Sequence, residues 1–495
     1  MGVEKRAPKL FAGERLRHLR EQHHLSQATL AGLIGLSASY FNQIEHDQRP
    51  LPDPVLHRLC IHFSINPSYF DGSQGLHLVG ALREVMADPV FGGMAIDLAE
   101  IQAMVRVAPG IANRFMTLHR HHLEQEERLE TQRPTSSDPF GGSASNFPYD
   151  EVRDWVQSHD NHFDVLDRAA EHLTEREKLD RVVLRDALTD YLKRAHGVIV
   201  TEEPGLLEQG LVWRLDRNSH RFQLAEGAST ESRVFWMAHH IGLIEHGRTI
   251  ERLVGRANFS TDEARSLARV SLANYFAGAV MMPYGRFLAA AQAVAYDIQR
   301  LQRQFGASFE QVCHRLSTMQ RPAMPGIPFY FVKTDIAGNV LKRSSATRFQ
   351  FTHFGGPCPL WNVYRSFSQP GQISVQVART PDNVAYLNIA RTVGRSGGAY
   401  LSRPRAVAVV LGCEIQYAPQ LIYAAGLDLQ NLDAADPIGP GCRACSRTDC
   451  RHRALPPIGQ ALDISTAERG LVPYRILQTE ENESHRRSSQ PDDAS

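Results

Sequence analysis

Apolar residues recur three and four positions apart through the first part of the chain. Phe11, Leu16, Leu19 and Leu25 form the apolar stripe of a predicted first helix. Ser26 stands where an N-cap belongs, ahead of Gln27-Ala28-Thr29-Leu30-Ala31-Gly32-Leu33-Ile34, and Gly35 closes that second helix. Ser37 caps a third, from Ala38 to Glu45, whose period turns Phe41 and Ile44 inward and Ala38, Ser39, Asn42 and Gln43 outward. Two short helices joined by a tight Gly-containing turn make a helix-turn-helix, whose second helix suits the major groove of DNA.

Helical periodicity continues to about residue 130, through Ile101, Met104 and Val105, and includes a His119-Arg120-His121-His122 turn that is expected to be a solvated helix face. Residues 131–148 are rich in Ser, Pro and Gly and form the expected linker. Beyond it, Val152, Trp155, Val156, Phe163, Leu166, Ala169 and Leu173 share one helical face, and Leu184, Leu188, Tyr191 and Leu192 another. A strand is expected at 197–200 and helices at 238–246 and 296–319. Prolines 322, 325 and 328 then break the chain, and β-like runs follow at 329–332, 349–352, 373–377, 385–389 and 406–411. Their alternation predicts an antiparallel sheet with one buried face.

The expected fold is therefore multidomain. An all-α helix-turn-helix (1–72) leads into a helical connecting region (73–180), a mostly helical middle (181–320) and an α+β C-terminal domain (321–460). A polar tail at 479–495 is expected to be disordered.

Composition narrows the function. The 495 residues are 42% hydrophobic and 22% charged, which is ordinary for a globular protein, and the formal net charge is zero. Any DNA-binding surface must be local, and residues 1–72 carry eight Lys or Arg against seven Asp or Glu, so strong binding calls for two copies on two half-sites. No apolar run approaches the roughly 18 residues of a membrane span, and the N-terminus lacks a signal-peptide core, so a cytoplasmic protein without a membrane partner is expected. In that reducing compartment a tight cysteine cluster points to metal. Three of the seven cysteines fall at Cys442-x2-Cys445-x4-Cys450, after the turn-forming run Pro437-Ile438-Gly439-Pro440-Gly441. Cys60 and Cys313 sit inside helical patterns and are expected to be buried thiols.

The motifs also resemble known families. Leu16-Arg17-x-Leu19-Arg20 and Leu25-Ser26-Gln27-x3-Ala31-x3-Gly35-Leu36-Ser37-x2-Tyr40-x3-Ile44-Glu45 resemble the XRE-type helix-turn-helix. That resemblance makes Gln27, Ser37, Ala38, Ser39, Asn42 and Gln43 the candidate DNA-contacting residues, with Gln27 toward a phosphate and Ala38, Ser39 and Gln43 toward base edges. Residues 182–288 resemble an ImmA/IrrE metallopeptidase-type domain. His239, His240 and Leu243 stand where that domain carries H-E-x-x-H, and Val270 and Leu272 lie where its metal-binding Glu belongs, so no catalytic residue is assigned.

Gly338-Asn339-x-Leu341-Lys342-Arg343-x-Ser345-Ala346-x-Arg348-Phe349, Phe354-Gly355-Gly356-x-Cys358-Pro359-Leu360-Trp361-Asn362 and Leu411-Gly412-Cys413-Glu414, with the cysteine run, complete a resemblance to the short-chain fatty acyl-CoA regulator (ScfR) family. It spans nearly the whole chain. It implies a homodimeric or higher-order transcription factor, not an enzyme, with a double-stranded DNA operator and a short-chain acyl-CoA effector. Lys342, Arg343 and Arg348 are the candidate cations for the CoA phosphates, and Trp361, with Leu360 and Phe349, a candidate apolar wall. Cys413 is the expected fourth ligand beside Cys442, Cys445 and Cys450, with Cys358 as runner-up, for a [4Fe-4S] cluster or, alternatively, zinc. The competing functions are an iron–sulfur redox sensor and a DNA-tethered metallopeptidase.

Overall fold

The computed structural model describes residues 12–22, 25–63, 73–86, 89–91, 98–108, 110–112, 114–116, 118–119, 122, 148–179, 184–347, 349, 358–395, 405–443, 445–457, 462–465 and 467–476. The expected tail lies outside these residues, as does the expected linker up to Phe147. The chain divides into two compact units. One comprises Met1–Met86, Ile96–His119 and Pro322–Met324, and the other the remainder.

The first unit begins with α1 (Gly13–Gln22), α2 (Gln27–Leu33), α3 (Ala38–Glu45) and α4 (Asp53–Phe63). The expected caps form: Ser26 Oγ accepts from the Thr29 N–H at 3.1 Å and Ser37 Oγ from the Tyr40 N–H at 3.2 Å. Between these helices Gly35 adopts φ +68°, and a side chain there would also strike Arg58 Nη1 at 2.7 Å. Leu16, Leu19, Leu30, Ile34, Phe41, Ile44, Val55 and Leu59 make the core. Two further helices, α5 (Ser73–Met86) and α6 (Leu98–Val107), pack on each other through Leu82, Ile101 and Val105. His119 is buried, not solvated as expected, within a run whose Arg120 and His121 lie outside the described residues.

The second unit starts with α7 (Pro148–Ser158), α8 (Asp164–Arg176) and α9 (Leu184–His196). A three-stranded sheet follows, made of β1 (Ile199–Glu203), β2 (Trp213–Asp216) and β3 (Arg221–Ala225), with β3 central, parallel to β1 and antiparallel to β2. Two long helices, α10 (Thr230–Arg256) and α11 (Asp262–Met281), pack together, and α12 (Tyr284–Ala293), α13 (Ile298–Phe305) and α14 (Phe309–Leu316) complete the helical part. Here α14 opens on a capping box of Ser308 and Gln311.

The C-terminal part carries β4 (Phe329–Thr334), β5 (Val340–Ser345), α15 (Asn362–Ser368), β6 (Ser374–Arg379), β7 (Ala385–Arg395) and β8 (Arg405–Glu414). The five strands form one antiparallel sheet in the order β5-β4-β8-β7-β6. The expected strand at 349–352 falls largely outside the described residues.

Both faces of this sheet are covered, which corrects the expectation of one buried face. Phe329, Phe331, Leu387, Ile389, Val409, Leu411 and Cys413 join the large core shared with the helical part. Their alternating neighbours Tyr330, Val332, Tyr386, Ala390, Ala408 and Val410 face Trp361, Val363, Phe349, Cys358 and Ile438. The two-residue period of a strand makes these two sets mutually exclusive.

Candidate functional site

In the first unit α3 presents what the sequence predicted: Phe41 and Ile44 are fully buried, while Ser37, Ala38, Ser39 and Asn42 are exposed and Gln43 half-exposed. Beneath that face lies a polar brace. Glu45, only 2% exposed, accepts from Arg20 Nε at 2.7 Å and from Gln27 Nε2, and Arg20 also donates to the Leu25 carbonyl at 3.2 Å. Gln27 reaches Asn42 Oδ1 as well, at 3.4 Å. Its amide is thus a strut between α2 and α3, which fixes the angle of the outward helix.

The region like a metallopeptidase turns its motif positions to packing. His239 is 1% exposed and lies against Trp213 and Trp236; burial pushes its pKa down to about 4. His240, in the place of the catalytic carboxylate, stacks flat on Phe222 with ring centres 4.7 Å apart. Leu243, in the place of the second ligand, packs with Ile250, Val254 and Leu272. The nearby Glu245 is taken by the Tyr191 hydroxyl and by His196 Nε2, the latter at 2.9 Å, and His246 lies against Phe276. Trp213 and Phe222 belong to a β2–β3 hairpin that the sequence reading missed. The turn residues Asp216-Arg217-Asn218-Ser219 between them are its signal, and Asp216 caps that turn by accepting from the N–H groups of Asn218 and Ser219.

The candidate CoA cluster does not assemble as expected. Lys342 and Arg343 are successive residues of β5 and point to opposite faces, and Arg348 lies outside the described residues. Lys342 turns to the face covered by α14, opposite Lys333, and Arg343 lies opposite Val332. Trp361 is 3% exposed and stacks with Phe349 at 5.5 Å against Tyr330, so it is a core residue and not an open wall.

The structure places the expected fourth ligand, Cys413, and its runner-up, Cys358, on opposite faces of the sheet. Cys413 is fully buried with Leu411 and Val409 on the helical face of the sheet; burial pushes its thiol up to about 12, and Glu414 adds to this. Cys358 packs on the opposite face with Ile438 and Trp361. It is this thiol that stands near Cys442 and Cys445. Burial and those two sulfurs raise its pKa, while the N–H groups of Leu360 and Gly439 donate to it and pull the other way. The N–H of Ala454 points at Cys442 Sγ from 3.4 Å, and Cys442 and Cys450 both flank Tyr474. Gly439 must lack a side chain, since a Cβ there would lie 2.7 Å from Cys445 Sγ.

Arg453 fixes this loop from within. Nearly buried, it donates to the carbonyls of Cys442 at 2.6 Å, Cys445 at 3.2 Å and Arg447. Arg447 in turn donates to the Arg379 carbonyl at 2.8 Å. Cysteine sulfurs with backbone N–H groups and a guanidinium beside them are a donor set that fits a metal or cluster in kind. Among the described residues no three Cys, His, Asp or Glu side chains are drawn close enough to hold an ion as they stand, so no coordination geometry is assigned.

Comparison with known proteins covers the same three segments. Residues 12–63 match a family described as helix-turn-helix domain, 193–317 the IrrE N-terminal-like domain, and 318–474 the family described as "Short-chain fatty acyl coenzyme A regulator, C-terminal". A propionyl-CoA carboxylase regulator of Cereibacter sphaeroides is 39% identical over 95% of this chain and 100% of its own. The regulators RamB and PrpR of Mycobacterium tuberculosis are 40% and 37% identical, over 95% and 94% of this chain and 99% and 95% of theirs. A solved Mycobacterium tuberculosis transcriptional regulator superposes with a TM-score of 0.64 at 38% identity, over 66% of this chain and 99% of its own. With the helix-turn-helix, the altered IrrE-like middle and the C-terminal sheet and cysteine loop all in place, the chain belongs to the short-chain fatty acyl coenzyme A regulator family.

Proposed function

We propose that this protein is a DNA-binding transcriptional regulator that acts as a dimer on paired half-sites and responds to a short-chain acyl-CoA. The outer face of α3 carries the first half of this reading. Ser37, Ala38, Ser39, Asn42 and Gln43 form a small polar surface, without large apolar residues, on a helix braced by Glu45, Arg20 and Gln27. Asn and Gln side chains suit adenine through paired bonds to N6 and N7, and Ser accommodates several bases. The near-balanced charge of the segment argues for two copies, because one contributes few phosphate contacts.

One relative named as a propionyl-CoA carboxylase regulator, aligned along its full length, supports the effector half. An effector acts only through its differential affinity for two states of the protein. The test is operator affinity, measured at fixed salt, against a panel of acyl-CoAs from acetyl to butyryl; if none changes it, the sensing half falls.

A second reading concerns the cysteines. We infer that Cys358, Cys442, Cys445 and Cys450 hold a [4Fe-4S] cluster or a zinc ion that staples the C-terminal domain, and a cluster would add a redox input. Cys358 beside Cys442 and Cys445, and Arg453 within the loop, support it. An optical spectrum of anaerobically purified protein tests it: the absence of a broad band near ~400 nm in every preparation removes iron–sulfur chemistry. The metallopeptidase reading is disfavoured by His240 and Leu243, which are given over to packing where that chemistry needs a carboxylate and a ligand.

A further inference from the structure

Lysine is scarce in this chain. Of 54 basic Lys and Arg residues only six are lysine: Lys5, Lys9, Lys178, Lys193, Lys333 and Lys342. Two of the six stand directly opposite each other on adjacent strands, Lys333 of β4 against Lys342 of β5, next to a register shift in the ladder. Like charges placed opposite in a ladder repel. The arrangement offers them one carboxylate: Glu310 of α14 accepts from Lys333 Nζ with both oxygens, each at 2.8 Å. Lys333 thereby occupies both oxygens, and Lys342 is the second cation at an occupied counter-ion.

One helical turn on from Glu310, His314 presents its ring to Phe331, edge on, at 5.4 Å. Burial and the surrounding cations Lys342, Arg315 and Lys333 hold this imidazole neutral. Lys342 is an exposed residue on the strand that ends the sheet among the described residues, where a small reagent can approach.

We propose that Lys342 is a site of covalent acylation, its Nζ taking the acyl group of small acyl thioesters and acyl phosphates because Lys333 stands opposite it and already holds both oxygens of Glu310. In the step, the Nζ lone pair attacks the carbonyl carbon and a C–N bond forms. The C–S bond of a thioester, or the C–O bond of an acyl phosphate, breaks with its electron pair on the leaving group. The amine gives up one proton, which passes through water to the leaving thiolate or phosphate. An amide replaces the ammonium, and the Lys333–Glu310 pair loses its second cation.

The protonation balance agrees with the geometry. Lys342 is lowered to about 8, chiefly by desolvation; Glu310 opposes this and Lys333 adds to it. The residue as a whole remains exposed, so water screens part of that desolvation. An amine beside another cation is a recognised form of activated lysine.

The proposal goes beyond the regulator reading and needs no effector site, since an acyl phosphate lacks the CoA moiety. Full-length protein is incubated with acetyl phosphate and, separately, with acetyl-CoA at mildly alkaline pH, and acetyl occupancy of each lysine is followed by mass spectrometry. Lys178 and Lys193, both exposed, are the internal comparators. Lys342 is expected to be modified about tenfold or more faster than either with both donors, since each unit of pKa depression raises the amine fraction about tenfold, and Lys333 to stay slow. Equal rates at Lys342, Lys178 and Lys193 overturn it. Selectivity with acetyl-CoA alone also overturns it, because the reactivity would then come from CoA docking and not from the cluster. Glu310→Gln is expected to speed modification of Lys342 and to expose Lys333 to it; unchanged rates at both would remove the cluster as the cause.

Discussion

Replacing Cys358 and Cys413 separately by serine distinguishes the two candidates for the fourth sulfur. Cys413 lies fully buried between Phe329 and Leu387 on neighbouring strands, among Leu411 and Val409. A hydroxyl in that setting loses its water without gaining an obvious partner, so Cys413→Ser should cost about 1–3 kcal/mol of stability. It should leave any bound metal untouched, because the sheet separates this residue from the cysteine loop. Cys358 sits on the loop side, with N–H donors from Leu360 and Gly439 and with Cys442 and Cys445 nearby. Cys358→Ser replaces the proposed fourth sulfur by a hydroxyl, and any bound metal should be lost. Because binding to such a site is also folding free energy, the domain should become sensitive to chelators or oxidation in proportion. Elemental analysis for iron and zinc, an anaerobic optical spectrum and urea denaturation of both variants make the assay. Metal lost from Cys413→Ser and kept by Cys358→Ser would refute the assignment.

Three other outcomes follow from the geometry. Asp167 is fully buried and bonds Arg315 Nη2 at 2.5 Å and the Tyr275 hydroxyl at 2.5 Å, so Asp167→Asn strands a buried guanidinium and should cost about 3–5 kcal/mol in urea denaturation. His239 has a folded pKa of about 4 against an ordinary 6.5, so the unfolded chain takes the proton first. The stability this neutral ring contributes is intact above 6.5 and falls away as pH drops from 6.5 toward 4; His239→Gln should flatten that part of the stability–pH curve. In the helix-turn-helix, Gln43→Ala should cost about 1–3 kcal/mol of discrimination at one base pair while leaving thermal stability within about 0.5 kcal/mol, as competition binding with single-base operator variants would show.

The helix-turn-helix was legible in the sequence because its determinants are local. Ser26 and Ser37 cap the helices they precede, and the period of Phe41 and Ile44 sorts inward from outward within a few residues. The brace of Glu45, Arg20 and Gln27 was not, since it joins residues up to 25 positions apart. In the C-terminal domain the strands were largely recognisable, but not what covers them. Whether Cys413 or Cys358 meets the cysteine loop depends on which face of β8 the loop approaches, and a family motif around Cys413 carries no information on facing. Trp361 shows the same limit: an aromatic in a conserved-looking motif reads alike whether it lines a pocket or fills a core. The altered peptidase motif was legible because the replaced residues are themselves the signal, and the structure supplied what replaced the chemistry, namely the stacking of His240 on Phe222.

The most direct test of the account is the affinity of full-length protein for a duplex selected by the protein itself, measured by fluorescence anisotropy at fixed salt with and without acetyl-, propionyl- and butyryl-CoA. The account predicts that at least one of these shifts the affinity by about 5- to 150-fold, the usual span of coupling between two sites, and that free CoA shifts it less. Equal affinity in the presence of every acyl-CoA, with DNA binding intact, would contradict it.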